Sequence, residues 1–221
     1  LRLFLVRHAE SQGNFELRLQ GRREFPLTEK GILQAETLAS RLAGENLAAI
    51  YSSPIGRAMQ TAEIIGARVG IEVIPEPAFQ EYDFGESVSG ATWDEIRERH
   101  PEIIESFRKD GPDFPEYPGE EGRVVFQHRV RSACAAITGR HPNDDTVVVV
   151  THAGPITVLL LDALSRPYVR PIPFVLDNAS ITAIEVNNGA APHLPPMVVT
   201  GINDGCHINH LQPADRAGGG A

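Results

Sequence analysis

Two of the eight histidines in this chain stand at the same kind of position, and histidine is the side chain that most readily attacks, moves a proton or binds a metal near neutral pH. Leu3-Phe4-Leu5-Val6 runs into Arg7-His8-Ala9-Glu10-Ser11, and Val147-Val148-Val149-Val150 runs into Thr151-His152-Ala153-Gly154-Pro155. Each is a strand-like apolar run that ends in a polar residue, a histidine and then small residues. Ligands of open α/β sheets bind beyond the carboxyl ends of the strands, so the two imidazoles share one crevice if their strands are neighbours. The small residues let backbone N–H groups approach an anion, and a helix starting at Pro155 aims the positive end of its dipole at the same place. A third segment, Tyr51-Ser52-Ser53-Pro54-Ile55-Gly56-Arg57-Ala58, reads as strand, turn and helix start, with Arg57 in the first turn. Arg7 and Arg57 can then clamp one phosphoryl group, because a guanidinium stays charged and hydrogen-bonds two oxygens at once.

Such residues need a sheet to hold them at its edge. Strands are expected at Leu3–Val6, Ala49–Ser52, Glu72–Ile74, Thr146–Thr151, Ser180–Glu185 and Met197–Thr200, with helices between them. Thr28–Leu42 carries Ala35, Leu38, Ala39 and Leu42 on one stripe, and Pro54–Val69 repeats Ala58, Ala62 and Ile65. Thr92-Trp93-Asp94-Glu95 is a capping-box pattern that opens a third helix. Val130, Cys134 and Ile137 mark a fourth, and Pro155–Leu164 is a fifth. This alternation predicts an α/β fold: a three-layer α/β/α sandwich with a mostly parallel central sheet and a small helical cap. Residues 1–212 are expected to form a single catalytic domain, with the cap excursion at about 86–120 including the Pro- and Gly-rich stretch 109–119. Asn143-Asp144-Asp145 reads as a turn, and 213–221 as a mobile tail.

Composition removes several classes of function. Twenty Lys plus Arg against 29 Asp plus Glu give a net charge of -9 without a basic cluster, so no nucleic-acid partner is expected. The apolar runs fall short of the roughly 20 residues that span a bilayer, so no membrane is expected either. The opening run is too short for a signal peptide, and Cys134 and Cys206 lack disulfide or zinc-ribbon spacing. The expectation is a cytoplasmic chain with two reduced thiols. An exposed apolar patch or edge strand would allow a homodimer.

The joint pattern then becomes specific. Arg7-His8-Ala9-Glu10-Ser11-Gln12-Gly13-Asn14, Pro26-Leu27-Thr28-Glu29-Lys30-Gly31, Ser52-Ser53-Pro54-Ile55-Gly56-Arg57-Ala58-Met59-Gln60-Thr61-Ala62, Glu81-Tyr82-Asp83-Phe84-Gly85-Glu86 and Thr151-His152-Ala153-Gly154 resemble the successive motifs of the histidine phosphatase superfamily, the phosphoglycerate mutase-like proteins. The order matches too, and Asp177-Asn178-Ala179-Ser180 resembles the approach to the family's final strand. The resemblance implies that His8 is a nucleophile that forms a phosphohistidine, later hydrolysed by water, with no metal and no cofactor. It implies that Arg7, Arg57 and His152 surround the phosphoryl oxygens, and that Asn14, Gln20, Gly21 and Ala153 add to the phosphate site. His8 must then be neutral at the attacking nitrogen, with an acceptor on the other; a backbone carbonyl is expected to fill that place. Glu81 matches the family's acid, which protonates the departing oxygen and later takes a proton from water. Asp83 and Glu86 are its acidic neighbours.

Two positions depart from the family's pattern. Ala9 stands where Gly is frequent, and Ser87-Val88-Ser89-Gly90 replaces a Trp-Glu-Gly segment, which with Phe84 nearby reshapes the pocket for the leaving group. The interval from Glu81 to His152 is shorter than in the family's mutases and holds Glu102, Glu105, Asp110, Asp113, Glu116, Glu120 and Glu121. An acidic cap does not suit a doubly anionic intermediate, so the reading is a phosphatase of small phosphorylated substrates, phosphoserine among them. The alternatives are a cofactor-dependent phosphoglycerate mutase, a non-catalytic binder of phosphorylated ligands, and a metal hydrolase using His8, His152 and Asp83 or Cys206, His207 and His210. Trp93 opens the cap helix, where it could touch the substrate, but reads first as a packing aromatic; His100, His128, His141 and His193 receive no role.

Overall fold

The computed structural model describes residues 1–109, 111, 113–142, 144–187, 189, 193 and 195–211. The expected tail 213–221, Asp110 and Pro112 of the cap loop, and Asn143 of the expected turn lie outside the described residues. In chain order the elements are β1 (Arg2–Arg7), α1 (Gln12–Phe15), β2 (Arg18–Leu19), α2 (Glu29–Leu42), β3 (Leu47–Ser52), α3 (Gly56–Val69) and β4 (Val73–Pro75). A 3₁₀ turn at Pro77–Phe79 leads to β5 (Ala91–Thr92), α4 (Trp93–Arg99), α5 (Pro101–Arg108) and α6 (Arg123–Arg140). Then come β6 (Thr146–Thr151), α7 (Ala153–Ala163), β7 (Ile181–Val186), β8 (Met197–Asp204) and a last 3₁₀ turn, Cys206–Leu211.

Six strands form one sheet in the order β4-β3-β6-β1-β7-β8. β1, β3, β4 and β6 are parallel, and β7 runs antiparallel to both of its neighbours. Alternation along each strand divides the core between two faces. Leu3, Leu5, Tyr51, Val147 and Val149 pack towards α6 and α7, whereas Phe4, Val6, Ile50, Val148 and Val150 pack towards α2 and α3. β6 is buried at every position, as the four consecutive valines of a middle strand require. Burying each of them contributes on the order of 1.5–2 kcal/mol.

The stripes expected on α2 and α3 are buried, and Thr28 caps α2 by accepting from the Gly31 N–H at 2.9 Å. Two helix starts differ from expectation. α3 begins at Gly56, after an extended Ile55 whose N–H donates to Ser53 Oγ at 3.3 Å, so Pro54 lies outside it. α7 begins two residues before Pro155, at Ala153, with His152 as its cap. Proline fits inside that first turn because the N–H it lacks would have no intrahelical acceptor. Thr92 and Glu95 form the expected capping box on α4. The small α4–α5 pair stands over the carboxyl end of the sheet beside the short β2–β5 ribbon.

Candidate active site

β1 and β6 pair in parallel with Arg7 opposite Thr151, so the residues after each strand end emerge side by side. The His8 N–H donates to the Thr151 carbonyl at 2.9 Å, and the two imidazoles meet edge to face with centroids 5.1 Å apart. Their strands are the neighbours that the crevice argument needed.

One ring nitrogen of His8 has its role fixed by its partner. Nδ1 lies 2.8 Å from the Ala9 carbonyl, which can only accept, so Nδ1 carries the hydrogen and Nε2 the lone pair. Arg57 Nε–H points at that lone pair from 3.2 Å. Burial, then Arg57, then Arg7 hold the imidazole well below its ordinary range, against the opposing pull of the Ala9 carbonyl; His8 is neutral at pH 7.

Arg57 is 1% exposed, with its other nitrogens donating to Gly21 O at 2.7 Å and Arg23 O at 2.9 Å. Burial lowers it to about 10, which leaves it charged. Arg7, also lowered by burial, donates through one nitrogen to the Leu176 carbonyl, while its Nε has no partner among the described residues. That unpartnered N–H, with the charge of both guanidinium groups, suits an anion.

Glu81 reaches the same space from the loop after the first 3₁₀ turn. Its carboxylate accepts from the Tyr82 N–H at 2.8 Å and from the Gly154 N–H, in the first turn of α7, at 3.2 Å. A Cβ at residue 154 would overlap a Glu81 oxygen, so glycine there lets the carboxylate keep this position. Arg129 of α6 holds the loop from behind, donating to Ala78 O at 2.7 Å, Gln80 O at 2.8 Å and Glu81 O at 3.0 Å. Asn178 supports the other wall, donating to His8 O at 3.0 Å and Asn14 Oδ1 at 3.1 Å. The sequence reading gave neither Arg129 nor Asn178 a role.

Of the expected set, Arg7, His8, Asn14, Gln20, Gly21, Arg57, Glu81 and Ala153 line one cavity of about 370 Å³. Gln20 accepts from Ser11 Oγ at 2.8 Å, and Gly21 takes the positive φ of 53° that turns the chain past Arg57. His152 flanks this space without lining it: its ring is fully buried, Nε2 lies 2.8 Å from Ser53 Oγ, and Nδ1 has no partner among the described residues. Burial, Arg57 and His8 hold His152 neutral as well.

Of the outer wall only Phe84 and Trp93 were expected near the substrate. Tyr82, Phe84, Trp93, Phe107, Phe114, Tyr117 and Tyr168 line the cavity with Arg18 and Arg123, so Trp93 faces the site as well as packing on Phe107. The available signal was the set of aromatics on the prolines' side of the excursion, Phe114 and Tyr117, which belong to no helix or strand stripe. The expected acidic cap is corrected too. Glu81 is the one acid among the described residues that line the cavity; Glu102, Glu105, Asp113 and Glu116 are exposed, and Glu120 and Glu121 pair with Arg123, Arg22 and Arg129. A chain that reads as acidic therefore presents arginines and rings to its pocket.

The ligand sets of the metal-hydrolase alternative do not assemble among the described residues. The only group of three possible ligands there is Asp204, Cys206 and His207, which includes none of His8, Asp83, His152 and His210.

A buried neutral histidine flanked by two arginines, with a carboxylate at a helix N-terminus beside them, defines a site for phosphoryl transfer to nitrogen. The chain belongs to the histidine phosphatase superfamily, whose branch 1 profile matches residues 3–194. By class it is a phosphoric monoester hydrolase. It is 35% identical to phosphoserine phosphatase 1 of Hydrogenobacter thermophilus, over 96% of both chains. It is 32% identical to a probable phosphoglycerate mutase, GpmB, of Proteus mirabilis, over 85% of this chain and 86% of that one. The solved structure of YhfR from Bacillus stearothermophilus superimposes with a TM-score of 0.80 at 32% identity, covering 96% of this chain and 99% of the other.

Proposed function

We propose that this chain is a metal-independent phosphatase of small phosphorylated metabolites that works through a phosphohistidine on His8. The observation that carries the reading is the fixed tautomer: Nδ1–H is bound to Ala9 O, and the Nε2 lone pair faces a cavity beside Arg57. In the first step Nε2 attacks phosphorus in line, the ester P–O bond breaks, and Glu81 gives its proton to the departing oxygen. In the second, Glu81 takes a proton from water as its oxygen attacks phosphorus, the P–N bond breaks, and phosphate leaves. Arg7 and Arg57 hold the equatorial oxygens through both steps, with the Asn14 amide and the backbone N–H groups of Gly21 and Ala153 adding donors. His152, neutral and packed on His8, keeps the nucleophile's ring in place from behind the cavity.

The aromatic wall supports substrates whose leaving part is flat or apolar, because such surface gains most from a water-poor pocket. It also supports hydrolysis over mutase action. A mutase must hold a second anion, and the two outer arginines are already engaged, Arg18 with Glu95 at 3.4 Å and Arg123 with Glu120 at 3.1 Å. The unpaired thiols of Cys134 and Cys206 support a cytoplasmic setting.

The test is phosphate release in excess EDTA from p-nitrophenyl phosphate, phosphoserine, 3-phosphoglycerate and several sugar phosphates. The expected result is turnover in EDTA with the aryl ester favoured. Isomerisation of 3-phosphoglycerate without phosphate release would overturn the reading in favour of a mutase, and loss of turnover in EDTA would overturn its metal independence.

A further inference from the structure

Asp204 ends β8, and Cys206 and His207 open the 3₁₀ turn that follows, so a carboxylate, a thiol and an imidazole occur within one turn of chain. One ligand atom from each lies within 4.8 Å of the others. The backbone fixes their mutual placement, since the Cys206 N–H donates to Asp204 Oδ1 at 3.1 Å.

The imidazole has the state that a ligand needs. His207 Nε2 lies 3.0 Å from the Ala179 carbonyl, which can only accept, so the hydrogen is on Nε2 and the lone pair on Nδ1. That Nδ1 is shielded from solvent and has no hydrogen-bond partner among the described residues. Metal-binding histidines are oriented in this way, with the second ring nitrogen donating to a backbone carbonyl. None of the three residues lines the catalytic cavity.

We propose that Asp204, Cys206 and His207 form a site for one borderline divalent cation, Zn²⁺ or an ion of like character, with a fourth position left to water. The donor set decides the class of ion: sulfur and imidazole select against Mg²⁺ and Ca²⁺, which take oxygen ligands, and suit tetrahedral zinc. On binding, the Cys206 thiol releases its proton to solvent and its sulfur bonds the metal, with no change of oxidation state. Cys206 is exposed, which leaves a path for entry. Arg41 is the nearby cation that opposes the ion, and Glu45 at 3.2 Å offsets part of its charge.

The position gives the ion a structural part rather than a chemical one. It would tie the end of β8 to the last 3₁₀ turn, and through His207 to Ala179, whose N–H donates to Arg7 O at 3.0 Å and His8 O at 3.2 Å. Catalysis stays independent of it.

The experiment titrates the chelator-stripped full chain with Co²⁺, which reports thiolate ligation by a charge-transfer absorption. One equivalent per chain is expected to produce the band, and Zn²⁺ to abolish it by displacement. Cys206→Ser is expected to lose the band and bind at least about tenfold more weakly, with phosphatase activity retained as the check on folding. His207→Gln is expected to weaken binding without affecting Cys206. Absence of the band from the unaltered chain, or its persistence in Cys206→Ser, would overturn the proposal. Turnover in EDTA is read separately, so failure of this site and failure of the phosphohistidine reading are distinguishable.

Discussion

His8 combines requirements that oppose each other: it must be an electron-pair donor while two arginines draw an anion towards it. The Ala9 carbonyl settles the tautomer, and burial beside Arg57 and Arg7 keeps the ring unprotonated. On the proposed mechanism His8→Ala abolishes turnover and leaves the thermal midpoint within a few degrees, measured by phosphate release and by circular dichroism. Because His8 is held well below the usual imidazole range, its protonation does not limit kcat/KM near pH 6.5. After allowance for the substrate's own second ionisation, near about pH 6, the acid limb is expected well under that value. An acid limb at an ordinary imidazole position would mean that the ring titrates as an exposed one. Glu81→Gln is expected to slow alkyl phosphates by about 10²–10⁴-fold and p-nitrophenyl phosphate far less, since nitrophenolate leaves without a proton. Equal losses on both would move the acid to another residue. Much of this residue-level picture was legible in the sequence, because Arg7, His8, Arg57 and Glu81 each sit in a short local motif. The burial of His152 behind the pocket was not legible, since it depends on Ser53 arriving from β3.

Elements differ in how plainly they announce themselves. β6 could be read from four valines, and α4 from its capping box, because those signals are local. Arg129 lies on α6 among other charged residues, and nothing in its spacing says that its guanidinium gathers three carbonyls of a loop some fifty positions earlier. Arg129→Lys removes the planar fork and is expected to lower kcat on alkyl phosphates by up to about a hundredfold, with KM little changed, through displacement of Glu81. A purely structural role would instead lower the thermal midpoint and leave kcat intact. Beyond Phe84 and Trp93 the aromatic wall was illegible for a related reason: its rings come from five separate segments, and none of them repeats with the period of its own element.

At the scale of the whole molecule, two neutral histidines in the core set a pH dependence of stability. His8 and His152 are both held below their ordinary range in the fold and regain it on unfolding. The unfolded chain therefore binds more protons below about pH 6.5, and stability falls as the pH drops through that window. Each ring contributes up to about 1.4 kcal/mol per pH unit, so His8→Ala is expected to flatten the fall measured by urea unfolding between pH 6.5 and 5. An unchanged slope would mean that His8 titrates alike in both states. The alternation of strands and helices told the layer order in advance, but not that β7 runs against its neighbours, because pairing direction is decided by partners far along the chain. The same distance governs how the enzyme comes into being. His8 directly follows the first strand of the sheet and Thr151 ends the fourth in chain order, yet they share a hydrogen bond. Loop closure over most of the polypeptide must precede it, so helices can form early while the reactive centre forms late. In refolding from denaturant, recovery of helical ellipticity should therefore run ahead of recovery of catalysis, and a nascent chain on the ribosome stays inert until β6 has emerged and docked against β1.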